Sequence, residues 1–358
     1  MYHEPLKVGI AGYGVVGKRR RQYIDENPHL KTIAVCDQNF TEAGVMPDGV
    51  RYYPNYQGLL SEPLDLLFVS LPNYLAPEVT ISGIERNLHV FCEKPPGRDI
   101  KDIQRVQEVE KQHPNVLLKY GFNHRYHDSV REALGIVKSG ELGKIINIKG
   151  MYGKSKIIPF SGGWRAEREY AGGGILLDQG IHLVDLMILF CGEFFDVKSY
   201  VSNAYWNHDV EDNAYVIMRD TSGRIAMLHS SATQWQHRFL LEINMTEGFL
   251  ELRGILSGSK SYGEEQLVIG RRDEAMVGTL NQKTIKYLED NSWRDEINEF
   301  ADAIVNKRTF VSGNSNDALA TMKLVYRIYW SDPVWRERYS IPNPDSYLKL
   351  SSDRVIKL

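Results

Sequence analysis

The sequence predicts an α/β protein of two domains: a doubly wound parallel sheet, then an α+β domain of mostly antiparallel strands. Three observations predict it. The first third of the 358 residues alternates short apolar runs with helical patterns. A glycine-rich turn separates the first run from the first helix. Beyond about residue 123 the pattern changes to strands joined by short turns. The expected boundaries are 1–123 for the first domain and 124–358 for the second.

In the first domain the strand-like runs are LKVGIAG (6–12), KTIAVCD (31–37), LDLLFVSLP (64–72), HVFCEKP (89–95) and NVLLKYGF (115–122). They are short and rich in Val, Ile and Leu, as strands buried on both faces are. Helical patterns lie between them, including 76–87 and 99–113. In the second domain a helix over 127–139 precedes IINIKGMYGK, and 172–186 reads as a further helix. NAYVIMRD, RIAMLHSSATQW, FLLEINM and FLELRGI then follow as strands of an antiparallel meander. Two late helical patterns, 293–307 and 316–331, close this domain, and 333–358 is either an arm reaching a neighbouring subunit or a packed or frayed end.

Composition narrows the function classes. The chain is 42% hydrophobic and 25% charged, ordinary for a globular protein. A net charge of −3 gives no electrostatic case for nucleic acid or an anionic membrane as partner. No apolar run approaches the roughly 20 residues that span a bilayer. The N-terminus, MYHEPLKVGIAG, runs straight into a strand and does not read as a signal peptide. Cys36, Cys92 and Cys191 are widely spaced in apolar surroundings and read as free thiols in a reducing compartment, so a cytoplasmic location is expected.

Gly12-Tyr13-Gly14-Val15-Val16-Gly17 follows the first strand and opens the first helix. Gly12 permits the tight turn, Gly14 lets backbone approach a pyrophosphate, and Gly17 allows close helix–strand packing. The helix N-terminus favours the phosphate charge. Asp37 ends the second strand 20 residues past Gly17, with Gln38 beside it, where an acid accepts ribose hydroxyls. A carboxylate there repels a 2′-phosphate, so NAD is expected over NADP.

The second site candidate is GGGILLDQGIHLVDL (172–186). On a helix Asp178 and His182 share a face. They read as a buried polar pair, as two ligands of a metal completed by His124 or His127, or as part of an active site. The three glycines leave space for a sugar at the helix start. Arg125, Arg165 and Arg168 are candidates to clamp an anionic group, and Trp164, Tyr152, Trp235 and Phe160 to stack on a sugar ring. His237 falls ambiguously between two strands.

GYGVVG, FCEKPPGR (91–98) and GGGILLDQGIH (172–182) occur together in an order that resembles the glucose-fructose oxidoreductase/inositol dehydrogenase/rhizopine catabolism family. The resemblance implies an N-terminal Rossmann domain and a C-terminal domain with a large open sheet. It also implies NAD(P)-linked chemistry on a secondary hydroxyl or ketone of a sugar, cyclitol or nucleotide-sugar. Glu93-Lys94-Pro95 matches the family motif whose lysine sits beside the nicotinamide and the reacting carbon. Asp178 and His182 match its acid and histidine. Ser70, Leu71, Pro72 and Asn73 match the segment that lies along the cofactor, but Tyr74-Leu75-Ala76 stand where the family often has a histidine. Asn123, within Phe122-Asn123-His124-Arg125, resembles the interdomain crossing, and Trp164-Arg165 a substrate-side loop.

With Lys94 and the nucleotide signature present, the catalytic reading of the pair is preferred: His182 as base, Lys94 as alkoxide stabiliser, Asp178 holding the imidazole or a substrate hydroxyl. Hydride chemistry with a lysine needs no metal, and none is expected. The alternatives are an NAD-binding sensor and an NAD-recycling glycoside hydrolase. A homodimer or homotetramer through the C-terminal sheet is expected.

Overall fold

The structure is a computed structural model that describes residues 4–157, 162–257, 261–272, 278–308 and 312–346. It resolves into two compact units. One comprises the chain up to Tyr126, Glu169–Gly172 and Asn291–Leu319; the other comprises His127–Arg168, Gly173–Asp290 and the chain from Ala320.

The first unit is built on seven strands: β1 (Leu6–Ala11), β2 (Leu30–Cys36), β3 (Gly44–Val45), β4 (Arg51–Tyr53), β5 (Leu66–Val69), β6 (His89–Cys92) and β7 (Leu118–Tyr120), in the order β3-β4-β2-β1-β5-β6-β7. Every pairing is parallel except β3 with β4. Val8, Ile10 and Leu66 to Val69 are fully buried, which explains why these runs lack polar alternation. The chain leaves β1 to one side for β2 and returns to the other side for β5, which creates a switch point at their carboxyl ends. The strands β3 and β4, too short to show periodicity, escape the sequence reading.

The helix Ser292–Val305 corrects that reading more substantially. It was expected to close the second domain. Its apolar face, Ile297, Phe300 and Ala301, instead packs with Val8, Ile10, Phe68 and Phe91 of the first sheet. The unit boundary also lies after Tyr126 rather than at 123, and Glu169–Gly172 joins the first unit.

The second unit is an eight-stranded sheet: β8 (Ile145–Ser155), β9 (Phe194–Ser202), β10 (Asn213–Asp220), β11 (Ile225–Gln234), β12 (Arg238–Met245), β13 (Gly248–Arg253), β14 (Glu265–Arg272) and β15 (Leu280–Tyr287), in the order β15-β14-β13-β12-β8-β11-β10-β9. It is mostly antiparallel, but not the simple meander expected. β8 inserts between β11 and β12 and runs parallel to β11. One face carries the helix Ile181–Cys191: a Cβ at Gly150 of β8 would fall 2.7 Å from Met187 Cε and 2.8 Å from Leu183 Cδ2. The stretch Arg168–Cys191 is long and apolar enough by composition to cross a bilayer, but 78% of its most apolar part is buried, and it reads as a core segment.

Of the tail, Pro333–Tyr339 is a helix whose first turn is capped by Asp332, which accepts the Trp335 amide at 3.0 Å, and Trp335 is buried. That part is a packed end; 347–358 lies outside the described residues. All three cysteines are buried free thiols.

Candidate active site

The cofactor-side residues lie at the carboxyl ends of four adjacent strands, β2, β1, β5 and β6. Gly12 follows β1 with φ +91°, and a Cβ there would stand 2.3 Å from the Ser70 carbonyl oxygen. A Cβ at Gly17 would stand 2.0 Å from the Gly12 carbonyl oxygen, whereas one at Gly14 would meet nothing within 4 Å. Gly12 and Gly17 are therefore fixed by sterics, and Gly14 faces open space, as a residue passed closely by a ligand does. The helix Val15–Glu26 has no side-chain cap and no acidic residue in its first turn, so its leading N–H groups suit an anion. Val15, at its tip, is 83% exposed.

Asp37 follows β2 and turns toward the glycine loop. Its Oδ2 accepts the Tyr13 amide at 2.8 Å; its Oδ1 accepts the Asn39 amide at 3.0 Å and Nδ2 at 2.6 Å. Gln38 beside it is exposed. Across the switch point, the buried Ser70 Oγ has no hydrogen-bond partner among the described residues. Leu71 Cδ2 lies 3.2 Å from the position a Gly12 Cβ would take, and the Pro72 carbonyl accepts the Ala76 amide at 3.0 Å. The backbone sterics, the uncapped helix, Asp37 and the orphaned hydroxyl fit a dinucleotide.

Glu93 follows β6 immediately before Lys94. Its Oε1 accepts Arg20 Nε at 2.6 Å, and Arg20 Nη2 donates to Glu296 Oε2 at 2.8 Å. Arg20 is fully buried and stacks on Trp293 at 4.2 Å and Phe91 at 4.4 Å. This ion pair fixes the strand end that carries Lys94. Asn73 and Asn123 are buried too: Asn73 Nδ2 donates to the Ala171 carbonyl at 2.7 Å, and Asn123 Nδ2 to Ser292 Oγ at 3.1 Å. Arg125, expected as an anion clamp, is buried and held by Asp317 at 2.7 Å and Ser312 Oγ at 3.1 Å, a structural anchor.

In the second unit, Asp178 and His182 lie on a run that begins as a π-helix, Leu176–Gly180, and continues as the α-helix Ile181–Cys191. π-turns concentrate at functional sites. His182 is buried; Asp178 is partly exposed, with Arg165 Nε 3.9 Å from its Oδ1. Arg165 stacks on Trp164 at 4.3 Å. The glycines do not leave the sugar-sized space expected of them. A Cβ at Gly172 would stand 2.1 Å from the Arg98 carbonyl oxygen, at Gly173 2.2 Å from the Tyr329 hydroxyl, and at Gly174 2.0 Å from the Glu211 carbonyl oxygen. They permit packing against protein.

Glu211, which the sequence reading missed, holds this segment. Fully buried, its carboxylate accepts the Gly174 amide at 2.7 Å, the Leu176 amide at 3.0 Å and the Tyr329 hydroxyl at 2.7 Å, and its carbonyl accepts the Ile175 amide at 3.1 Å. Burial pushes its carboxyl pKa up, against the opposing pull of these donors. The next residue, Asp212, collects the amides of Ala204, Tyr205 and Trp206 at 3.1, 2.7 and 3.2 Å. The only signal in the sequence is a pair of acids opening an apolar strand.

Gln179 Nε2 donates to the Tyr262 hydroxyl, and Tyr152 and His237 pack on the Tyr262 ring at 5.2 and 4.5 Å. His237 accepts the Ser155 amide at 3.3 Å through Nδ1. Arg168 lies over Tyr329 and Tyr339 at 5.2 and 4.7 Å, packed among aromatics. Trp235 is 68% exposed under Lys156, and Phe160 lies outside the described residues. The other histidines once set beside the pair have separate partners: His127 Nδ1 lies 2.7 Å from Glu265 Oε2, and His124 Nδ1 3.3 Å from Asn123 Oδ1. Among the described residues no three His, Cys, Asp or Glu side chains group to hold a metal.

A glycine-loop parallel sheet followed by a mixed open sheet defines a dinucleotide-binding α/β protein of two domains. Residues 6–122 match the oxidoreductase family's NAD-binding Rossmann fold, and residues 130–251 match the GFO/IDH/MocA C-terminal domain. The chain belongs to the GFO/IDH/MocA family. It is 26% identical over 226 residues to inositol 2-dehydrogenase of Salmonella typhimurium, covering 61% of this chain and 65% of that one. It is 28% identical over 255 residues to D-glucoside 3-dehydrogenase of Escherichia coli, covering 64% and 71%. The fold matches levoglucosan dehydrogenase in complex with NADH at TM-score 0.79 and 18% identity, over 93% of this chain and 98% of that one.

Proposed function

We propose that the chain is an NAD-dependent oxidoreductase acting on a secondary alcohol or ketone of a sugar, cyclitol or nucleotide-sugar. One observation carries this reading. Four strand ends lie side by side, with Asp37 at β2, the glycine loop at β1, Ser70 at β5 and Lys94 at β6. Neighbouring parallel strands are about 4.8 Å apart, so the row leads from a ribose-binding acid, past a phosphate-binding turn, to a lysine. That is the order of an extended dinucleotide. Asp37 supports NAD over NADP, since a 2′-phosphate beside its carboxylate is repelled. The relatives' names support a sugar-like substrate.

NAD, when bound, supplies the hydride acceptor or, reduced, the donor. In oxidation, His182 takes the substrate hydroxyl proton, a task that imidazole, with its unperturbed pKa near neutrality, suits as a class. Lys94 stabilises the negative charge developing on that oxygen. Asp178 orients the imidazole or a neighbouring hydroxyl. A sensor has no need of all three groups.

The test is His182→Asn, read by single-turnover NAD reduction on a sugar panel and by thermal unfolding. Turnover is expected to fall roughly 10²–10⁴-fold, the usual worth of general base catalysis, with NAD affinity and melting temperature nearly unchanged. A large drop in melting temperature with normal turnover per folded molecule refutes the catalytic assignment. Sugar cleavage without net NADH marks NAD recycling instead.

A further inference from the structure

Lys154 has no role in the reading above. Along β8 the even-numbered side chains Ile148 and Tyr152 are buried, and Gly150 abuts Leu183 and Met187 of the helix Ile181–Cys191. Side chains alternate along a strand, so Lys154 lies on this helix-bearing face, two residues beyond Tyr152. Tyr152 there packs on the ring of Tyr262 at 5.2 Å, and the Tyr262 hydroxyl accepts Gln179 Nε2, next to Asp178. The charged groups acting on Lys154 are Asp178 and Arg165, and Lys154 in turn acts on His237.

Both cations thus lie in the field of Asp178. The Arg165–Asp178 separation of 3.9 Å is too long for a hydrogen-bonded fork, and the Arg165 guanidinium lies over the Trp164 ring at 4.3 Å. Lys154 is half-buried, and the loss of water lowers its pKa, with Arg165 adding to the effect and Asp178 opposing it. An anion set between Lys154 and Arg165 gains from both charges. His237 is pushed down by burial and by Lys154, so it adds no third cation at neutral pH.

We propose that Lys154 and Arg165 form an anion subsite beside Asp178, and that the substrate is a sugar carrying a carboxylate or phosphate rather than a neutral polyol. The inference rests on the reading that Asp178 and His182 face the substrate. The anion spans Lys154 and Arg165, while Asp178 accepts a hydroxyl of the same ring. The three groups fix the ring by charges of both signs, which a neutral sugar does not satisfy.

The test uses the full chain with NAD and three kinds of ligand: a neutral hexose, the matching hexuronate, and the matching hexose phosphates, free or nucleotide-linked. Calorimetry reads affinity and NADH formation reads turnover. The parent is expected to prefer an anionic ligand over the neutral hexose by at least roughly tenfold, and Lys154→Met and Arg165→Met each to cut that ratio by about tenfold, the worth of one charged hydrogen bond. Lys154→Arg keeps the charge and should keep the preference, which separates a lost subsite from a misfolded one. Whether the uronate or a phosphate binds tighter identifies the source of the anion. Equal affinity for neutral and anionic sugars, no binding of any, or an unchanged preference in both methionine variants overturns the proposal. Selective anion binding without oxidation of any sugar leaves the subsite standing and removes the dehydrogenase reading.

Discussion

Arg20 is fully buried between Glu93 and Glu296, and Lys119 is fully buried with its Nζ 2.7 Å from Glu299 Oε2. Three carboxylates share two fully buried cations, and of the three only Glu296 is fully buried, so one excess negative charge bears on it. Retaining a proton removes it. Glu296 is the group that holds it: burial pushes its pKa up to about 7, Arg20 and Lys119 pull it down, and Glu93 pushes it further up. An acid whose folded pKa lies above its unfolded value contributes stability that is full below about 4.3 and is lost as pH rises through about 7. The first unit should therefore lose stability between about pH 4 and pH 7, by about 1.4 kcal/mol for each unit of the difference. Glu296→Gln keeps an acceptor for Arg20 without the titration and should flatten that slope. Urea unfolding followed by Trp293 fluorescence, at the ring stacked on Arg20, checks it; equal slopes in parent and variant contradict it.

At the scale of the element, Glu211 binds three consecutive amides where the chain enters the π-turn carrying Asp178. In Glu211→Gln the side-chain amide turns a donor toward one of those donors, at about 1–3 kcal/mol. We expect turnover per folded molecule to fall roughly tenfold, as about 1.4 kcal/mol at the barrier implies, with NAD affinity unchanged because the cofactor residues belong to the other unit. Single-turnover kinetics beside thermal unfolding decides it; a lower melting temperature with unchanged turnover makes Glu211 a stability residue only. The sequence shows Asp178 and His182 because an acid and a histidine interrupt an apolar run. It does not show Glu211, because a buried acid that collects backbone donors has no period of its own. The π-turn is equally silent, since side chains four apart stay close to one face in either helix. The first sheet is legible because its strands are apolar throughout and alternate with helices. The return of Ser292–Val305 to that sheet is not, because an amphipathic pattern states that a face is buried and not against what. The insertion of β8 beside β11 is hidden for a like reason: strand pairing is long-range, and local turns report only neighbours in the chain.

At the scale of the molecule, the second sheet raises the question of what covers its other face. Along β10 the burial alternates, with Ala214, Val216 and Met218 inward and Tyr215 and Ile217 outward, each 51% exposed. Tyr215 registers with Tyr200 on β9 and His229 on β11, and Ile217 with Lys198 and Met227. Tyr200 is 80% exposed and Met227 48%, and Tyr215 stacks on His229 at 4.0 Å. These side chains line a groove of about 320 Å³ with Lys149 and Met151. Contiguous apolar surface of this kind marks an interaction site in a protein that stays in solution, and a flat sheet face pairs readily with its own copy about a two-fold axis. We therefore propose that the chain forms dimers, or tetramers, through this face. Ile217→Asp places a charge at the centre of the patch, where burying it unpaired costs several kcal/mol. Light scattering should show a multiple of 41.0 kDa for the parent at micromolar concentration and a shift toward a single 41.0 kDa species for the variant. Because Ile217 points away from the helix-bearing face, the melting profile at matched assembly state should not fall. A parent that is monomeric, or an Ile217→Asp protein that remains fully assembled, removes this face as the interface.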